Sequence, residues 1–97
     1  MTDFDEFWRD ARGWRGRASN GGKPAARKAW DKVVRNGAIP REIIAGAIGY
    51  KQAMMDMDED PRFWCMPSTF LNQERWDQYL EEPAAKAYLE PNLRVVK

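Results

Sequence analysis

Apolar residues recur along most of the chain three or four positions apart, which is the spacing of one face of a helix. In the first segment they occupy positions i, i+3, i+4 and i+7: Phe4, Phe7, Trp8 and Ala11. Thr2 precedes this stripe and is a suitable N-cap, because its hydroxyl can accept a hydrogen bond from a backbone N–H of the first turn. The pattern predicts a first helix that ends at Gly13 and Gly16.

Two further helices are predicted between residues that suit helix ends. The second opens at Pro24, whose fixed φ suits a first turn, and closes at Asn36-Gly37. Its predicted inner face consists of Ala26, Ala29, Trp30, Val33 and Val34. The third runs from Pro40 to about Met55 and has the widest apolar face, so we expect it to be the most buried helix.

Glycines within the third helix indicate a close contact with another element. Gly46 and Gly49 each weaken a helix by roughly 1 kcal/mol relative to alanine. Because they lack a side chain, they permit another part of the chain to approach the helix closely. We therefore expect a tight packing contact on this side of the third helix.

The remainder of the chain predicts a loop, a fourth helix and a tail. Residues 56–67 are acidic and contain two prolines, and we expect the apolar residues 63–66 to fold back onto the core. A fourth helix is predicted from Ser68 or Thr69 to Pro83, and residues 84–89 can add a short fifth. The fold class is thus all-α, a compact four-helix bundle with an optional fifth helix. Residues 1–90 form one predicted domain, and residues 91–97 form a loosely ordered C-terminal tail.

The composition gives little indication of a secreted or membrane protein. The chain has 97 residues, which is enough for one domain, and twelve of them are aromatic. The N-terminus is acidic and no apolar run approaches the length of a membrane span, so we predict neither a secretory signal nor a membrane helix. Cys65 is the single cysteine and is expected to be a small buried apolar residue in a reducing cytosol.

The catalytic and metal-binding motifs that the sequence suggests are all incomplete. The chain has no histidine, so the commonest general base and the commonest zinc ligand are missing. The aspartates of residues 56–60 imitate the start of a calcium loop, but Pro61 and Pro67 stand where that loop requires Gly and Glu. Gly21-Gly22-Lys23 lacks the earlier glycine of a phosphate loop, and Pro24 replaces its Ser or Thr. We predict a protein that is not an enzyme and has no cofactor or metal.

Charge is distributed very unevenly. Between residues 12 and 35 the only acidic residue is Asp31, and eight are basic: Arg12, Arg15, Arg17, Lys23, Arg27, Lys28, Lys32 and Arg35. A surface of this kind attracts phosphates. Trp14 lies among glycines and arginines, so an exposed ring there could stack on a base. These nine residues form the predicted nucleic-acid-binding site. The alternative for the basic residues is a solvated helix surface that binds no ligand. The alternative for Trp14 is packing against the first or second helix.

Four segments carry a resemblance to a known domain. They are Phe-Asp-Glu-Phe-Trp at residues 4–8, Lys-Pro-Ala-Ala-Arg-Lys-Ala-Trp at 23–30, Ile-Ile-Ala-Gly-Ala-Ile-Gly-Tyr at 43–50 and Pro-Ser-Thr-Phe-Leu-Asn-Gln-Glu-Arg-Trp at 67–76. Together they resemble a domain at the C-terminal end of many phage replication proteins, the replisome organisers and helicase loaders. The sequence begins directly on this domain. We therefore expect a module that keeps one of the two binding partners of the larger replication proteins, either single-stranded DNA or the helicase.

The basic segment and the resemblance together predict two alternative functions for a protein in the cytoplasm of a bacterial host. The first is binding of DNA, single-stranded in preference to double-stranded, through the basic segment. The second is a protein–protein adaptor that docks on a replicative helicase or inhibits another host factor. Leu71-Asn72 and Arg75-Trp76 of the last motif are expected to cap the core rather than to bind a ligand.

Overall fold

The computed structural model describes residues 2–11, 14, 22–60 and 64–90. Within these residues five α-helices follow one another: α1 (Asp3–Ala11), α2 (Lys23–Arg35), α3 (Pro40–Asp56), α4 (Pro67–Asn72) and α5 (Pro83–Leu89). A 3₁₀ helix, Arg75–Tyr79, lies between α4 and α5. These described segments contain no strand. The predicted all-α fold and its short fifth helix are confirmed, while residues 91–97 lie outside the described part of the chain.

Helix α1 begins with reciprocal hydrogen bonds between Thr2 and Asp5. The Thr2 hydroxyl accepts from the Asp5 backbone N–H at 3.1 Å, and the Thr2 N–H donates to the Asp5 carboxylate at 3.2 Å. The hydrogen bonds from Thr2 lower the pKa of Asp5 below its ordinary value, because they favour the charged carboxylate. The predicted cap is confirmed, and all four residues of the apolar stripe are buried.

Helix α3 is the central element of the bundle. Eight of its residues are buried, more than in any other described helix, and it packs against α1, α5 and the 3₁₀ helix. A Cβ at Gly46 would lie 2.6 Å from the backbone oxygen of Trp76, and one at Gly49 would meet the backbone oxygen of Tyr79. The predicted burial of α3 and the predicted close contact at its glycines are both confirmed.

A cluster of aromatic rings joins α1, α2, α3 and α4. Tyr50 lies near its centre, with ring centroids 4.8 Å from Trp14 and 5.5 Å from Phe70. The Tyr50 hydroxyl accepts a hydrogen bond from the backbone N–H of Cys65 at 2.8 Å, and burial raises the pKa of this phenol. Trp64 is also buried and Cys65 is half-buried against the core, which confirms the predicted fold-back for these two residues, while Phe63 lies outside the described part of the chain. Met66 is 43% exposed, so the prediction is wrong for that residue.

The fourth helix differs from the prediction, because it is not continuous to Pro83. Helix α4 ends at Asn72, and Glu74 adopts a left-handed conformation (φ 53°) before the 3₁₀ helix starts. In an unbroken helix Trp76 would point about 120–140° away from Phe70 and Leu71. The break allows all three side chains to be buried, and this burial offsets the roughly 1–2 kcal/mol cost of a left-handed residue.

None of the helices in the described segments has the length and apolar character needed to cross a membrane.

Candidate nucleic-acid interface

Helix α2 separates an apolar face from a basic face. Pro24 occupies its first turn, and Ala26, Ala29, Trp30 and Val33 are buried, while Val34 is only half-buried. The opposite face is exposed and carries Lys23, Arg27, Lys28, Lys32 and Arg35. The predicted division of the helix into an inner and a basic outer face is confirmed, with Val34 at its boundary.

Three of these basic residues line an open cleft of about 450 Å³ between α2 and α4. Lys28, Lys32 and Arg35 occupy positions i, i+4 and i+7 of α2 and form one wall. Ser68 and Asn72, one turn apart on α4, form the other wall, and Ala25 and Ala29 complete the lining. We call this the α2–α4 cleft. Within the described residues, no carboxylate lies within ion-pairing distance of its three cations.

Arg27 lies on the other flank of α2, against α1. Its guanidinium pairs with Asp31 at 3.4 Å and lies 5.1 Å from the centre of the Phe4 ring. Its charge is therefore partly engaged within the protein, although the side chain is about half exposed. Lys23 is exposed at the start of α2 and does not line the cleft. The basic face thus divides into a cleft side and an α1 side.

Trp14 is buried, so the prediction of an exposed stacking ring is wrong. Only 3% of the residue is exposed, and its ring packs against Tyr50 at 4.8 Å, Phe70 at 5.0 Å and Phe7 at 6.3 Å. Contact with three aromatic rings outweighs the polar, glycine-rich sequence around it, because each large ring removes so much apolar area from water. The alternative that Trp14 packs against the first or second helix is confirmed by its contact with Phe7 of α1, although its closer contacts are with Tyr50 of α3 and Phe70 of α4.

Three of the predicted site residues, Arg12, Arg15 and Arg17, lie outside the described part of the chain.

The sequence pattern alone does not identify Ser68 or Asn72 as site residues. We predicted that Asn72 would cap the core, yet it is exposed and lines the cleft. The signal available in the sequence was the pair of small residues, Ala25 and Ala29, one turn apart beside the lysines of α2. Small side chains at this spacing leave room for a groove, but they do not indicate which element forms its second wall.

A second cleft, of about 300 Å³, has the opposite charge. It lies between the end of α2, the start of α3 and the 3₁₀ helix, and its lining includes Glu42, Glu74 and Asp77. Because of these carboxylates, an anion would be repelled by this cleft and attracted by the α2–α4 cleft. Among the described residues, no group of three or more metal-ligating side chains could hold a metal ion.

No family model, curated protein or solved structure matches this chain.

Proposed function

We propose that the protein binds DNA, and single strands in preference to duplexes, through the basic face of α2. The observation that carries the proposal is the convergence of Lys28, Lys32 and Arg35 on one open cleft without carboxylate partners among the described residues. Unpaired cations of this kind can neutralise phosphates and release the counterions condensed on a nucleic acid.

The shape of the cleft favours a single strand. A single strand is flexible enough to bend its backbone into a concave site, whereas duplex DNA is stiff over about 50 nm and presents its phosphates from a convex surface. Trp14 contributes no support for single-strand binding, because its ring is buried in the bundle. The preference therefore rests on the shape and charge of the cleft.

We further propose that this binding serves replication of a phage in the cytoplasm of its bacterial host. The support is the resemblance of residues 4–8, 23–30, 43–50 and 67–76 to segments of phage replication proteins. The lack of any histidine in the chain supports a binding role rather than a catalytic one.

The salt dependence of binding tests the proposal. Affinity for a fluorescein-labelled oligothymidylate of about 15 nucleotides would be measured by anisotropy over a series of salt concentrations. We expect the triple variant Lys28→Ala, Lys32→Ala, Arg35→Ala to bind more weakly. Because each lost phosphate contact on a single strand reduces the slope of log affinity against log salt by about 0.7, this variant should flatten it by about 2.

A matched control removes the same charge from other faces of the molecule. Arg9, Lys51 and Lys86 are exposed and lie on α1, α3 and α5. Changing all three to Ala should leave the slope almost unaltered. The proposal is contradicted if the wild-type protein binds no oligonucleotide at low salt, or if the control variant flattens the slope as much as the α2 variant does.

A second candidate is the adaptor function, favoured by two exposed methionines at the end of α3. Met55 and Met57 are 62% and 61% exposed, and methionine is common at surfaces that adapt to different partners. The partner would be a replicative helicase or another host factor. Docking on such an apolar surface would persist at high salt, whereas binding through phosphates weakens steeply, so the two functions separate in the same titration.

A further inference from the structure

The α2–α4 cleft offers more than positive charge, because its two walls differ in chemistry. The wall on α2 carries three cations, and the wall on α4 carries the Ser68 hydroxyl and the Asn72 side-chain amide. Neither of these polar groups has a hydrogen-bond partner among the described residues. Both can donate to an oxygen of a ligand, and neither carries a charge.

The size and lining of the cleft restrict what it can hold. Its volume of about 450 Å³ falls in the range of roughly 300–1,000 Å³ that is common for small-molecule sites. Ala25 and Ala29 add a small apolar surface to the lining. A ligand that matches these features has an anionic group, further oxygens that accept hydrogen bonds, and an apolar face.

We propose that the α2–α4 cleft holds the phosphate and sugar of one nucleotide within a bound single strand. Lys28, Lys32 and Arg35 contact the phosphate and its neighbours along the strand. Ser68 and Asn72 donate hydrogen bonds to the same nucleotide from the opposite wall, and the carbon face of the sugar lies against Ala25. This inference rests on the proposed DNA binding and adds the polar residues of α4 to its site.

Neutral variants of the cleft test this inference separately from its charge. The double variant Ser68→Ala, Asn72→Ala should bind the labelled oligothymidylate roughly 10-fold more weakly, because two hydrogen bonds are lost. The slope of log affinity against log salt should remain that of the wild type, since no counterion contact is removed. Asn36→Ala is the matched control, because Asn36 is also exposed but caps α2 outside the cleft, and its affinity should not change.

A larger side chain that fills the cleft provides a second test of the inference. Ala25 is exposed on α2, and leucine is a good helix former, so Ala25→Leu should preserve the helix while occupying the space beside Lys28. We expect roughly a 10-fold loss of affinity from this substitution. Melting temperatures close to that of the wild type would establish that each variant is folded.

Amide signals of the wild-type protein give a measurement that needs no variant. In ¹H–¹⁵N NMR spectra of a ¹⁵N-labelled sample, the side-chain amide chemical shifts of Asn72 should change when the oligothymidylate is added, while those of Asn36 remain the same. Thymidine monophosphate at the same phosphate concentration should produce no comparable shift. If it does, the cleft is a site for free nucleotides and its assignment to a strand is overturned.

The possible outcomes distinguish this inference from the proposed function. If the wild type binds and the triple α2 variant flattens the salt slope, but the neutral cleft variants and the Asn72 signals are unaffected, the inference is overturned and DNA binding stands. If the wild type binds no DNA, both are overturned. Weaker binding by the neutral variants, with an unaltered slope and a normal Asn36→Ala control, supports the inference.

Discussion

Trp14 packs its indole ring between Tyr50, Phe70 and Phe7 and is 3% exposed. Its indole N–H is buried and has no hydrogen-bond partner in the described part of the chain. The residue therefore combines a large apolar contact with an unsatisfied donor, and these two properties affect stability in opposite directions.

Two substitutions separate these contributions at Trp14. Trp14→Ala should lower the free energy of unfolding by about 3–5 kcal/mol, because it empties the centre of the aromatic cluster. Trp14→Phe keeps an aromatic ring and removes the unsatisfied N–H, so its cost should be within about 1.5 kcal/mol. Urea denaturation measures both values. Trp14→Phe should also leave the affinity for the oligothymidylate unaltered, and a tenfold loss in a variant of normal stability would contradict a purely structural role for this residue.

The two neighbouring residues Arg27 and Lys28 illustrate what sequence can predict about single side chains. Helical periodicity correctly placed both on the outer face of α2. It did not reveal that Arg27 contacts Phe4 and pairs with Asp31, whereas Lys28 lines a cleft. Exposure follows from position on one helix, but the contacts of an exposed side chain depend on which other helices lie beside it.

At the scale of the elements, the position of the 3₁₀ helix depends on Gly46. The backbone of Trp76 lies where a side chain at residue 46 would be, so α3 and the 3₁₀ helix approach more closely than two ordinary helices do. Trp76 is thereby buried against α3, and the left-handed residue Glu74 supplies the change of direction. The glycine and the helix break are two parts of one packing arrangement.

Gly46→Ala should destabilise the protein even though alanine favours a helix. The gain in helix propensity is about 1 kcal/mol, but the added methyl overlaps the backbone of Trp76, and relieving such an overlap costs typically 1–3 kcal/mol. We expect a net loss of stability, measured by urea denaturation. Gly22→Ala is the control, because among the described residues its Cβ would have only Cε of Met66 nearby, at 4.0 Å. This substitution should change stability by less than about 1 kcal/mol. A stabilised Gly46→Ala variant would contradict the close contact.

The elements that were predicted well are those whose ends are encoded locally. Pro40 and Pro83 stand at helix starts, and Asn36-Gly37 follows a helix end, so α2, α3 and α5 were placed within about two residues. The end of α4 carries no proline or glycine. Its break depends on the burial of Trp76 against Gly46, a contact between residues thirty positions apart, and such contacts are absent from any local pattern.

For the whole molecule, the uneven charge of the sequence becomes two clefts of opposite sign. Lys28, Lys32 and Arg35 line one, and the other includes Glu42 and Asp77. The sequence predicted the basic half of this arrangement, because eight of the basic residues lie within one segment. It did not predict the second wall of the basic cleft, since Ser68 and Asn72 reach it only when α4 packs beside α2.

The aromatic cluster also joins four helices of the bundle in one hydrophobic core. Phe7 of α1, Trp30 of α2, Tyr50 of α3 and Phe70 of α4 belong to the same buried core. The radius of gyration, 13.1 Å, matches the value of about 13 Å expected for one compact domain of this length. Because these rings belong to one core, the loss of any one of these four helices would expose rings of the others.

Unfolding should therefore occur in a single transition. We expect urea denaturation curves recorded by far-ultraviolet circular dichroism, which reports helices, and by near-ultraviolet circular dichroism, which reports aromatic packing, to coincide. The dependence of the unfolding free energy on urea should be about 1–3 kcal/mol per molar, as for other small domains. Trp14→Phe, which keeps the cluster intact, should preserve this coincidence. If the aromatic signal is lost at a lower urea concentration than the helical signal, the cluster is not the common core, because helices would then persist without it.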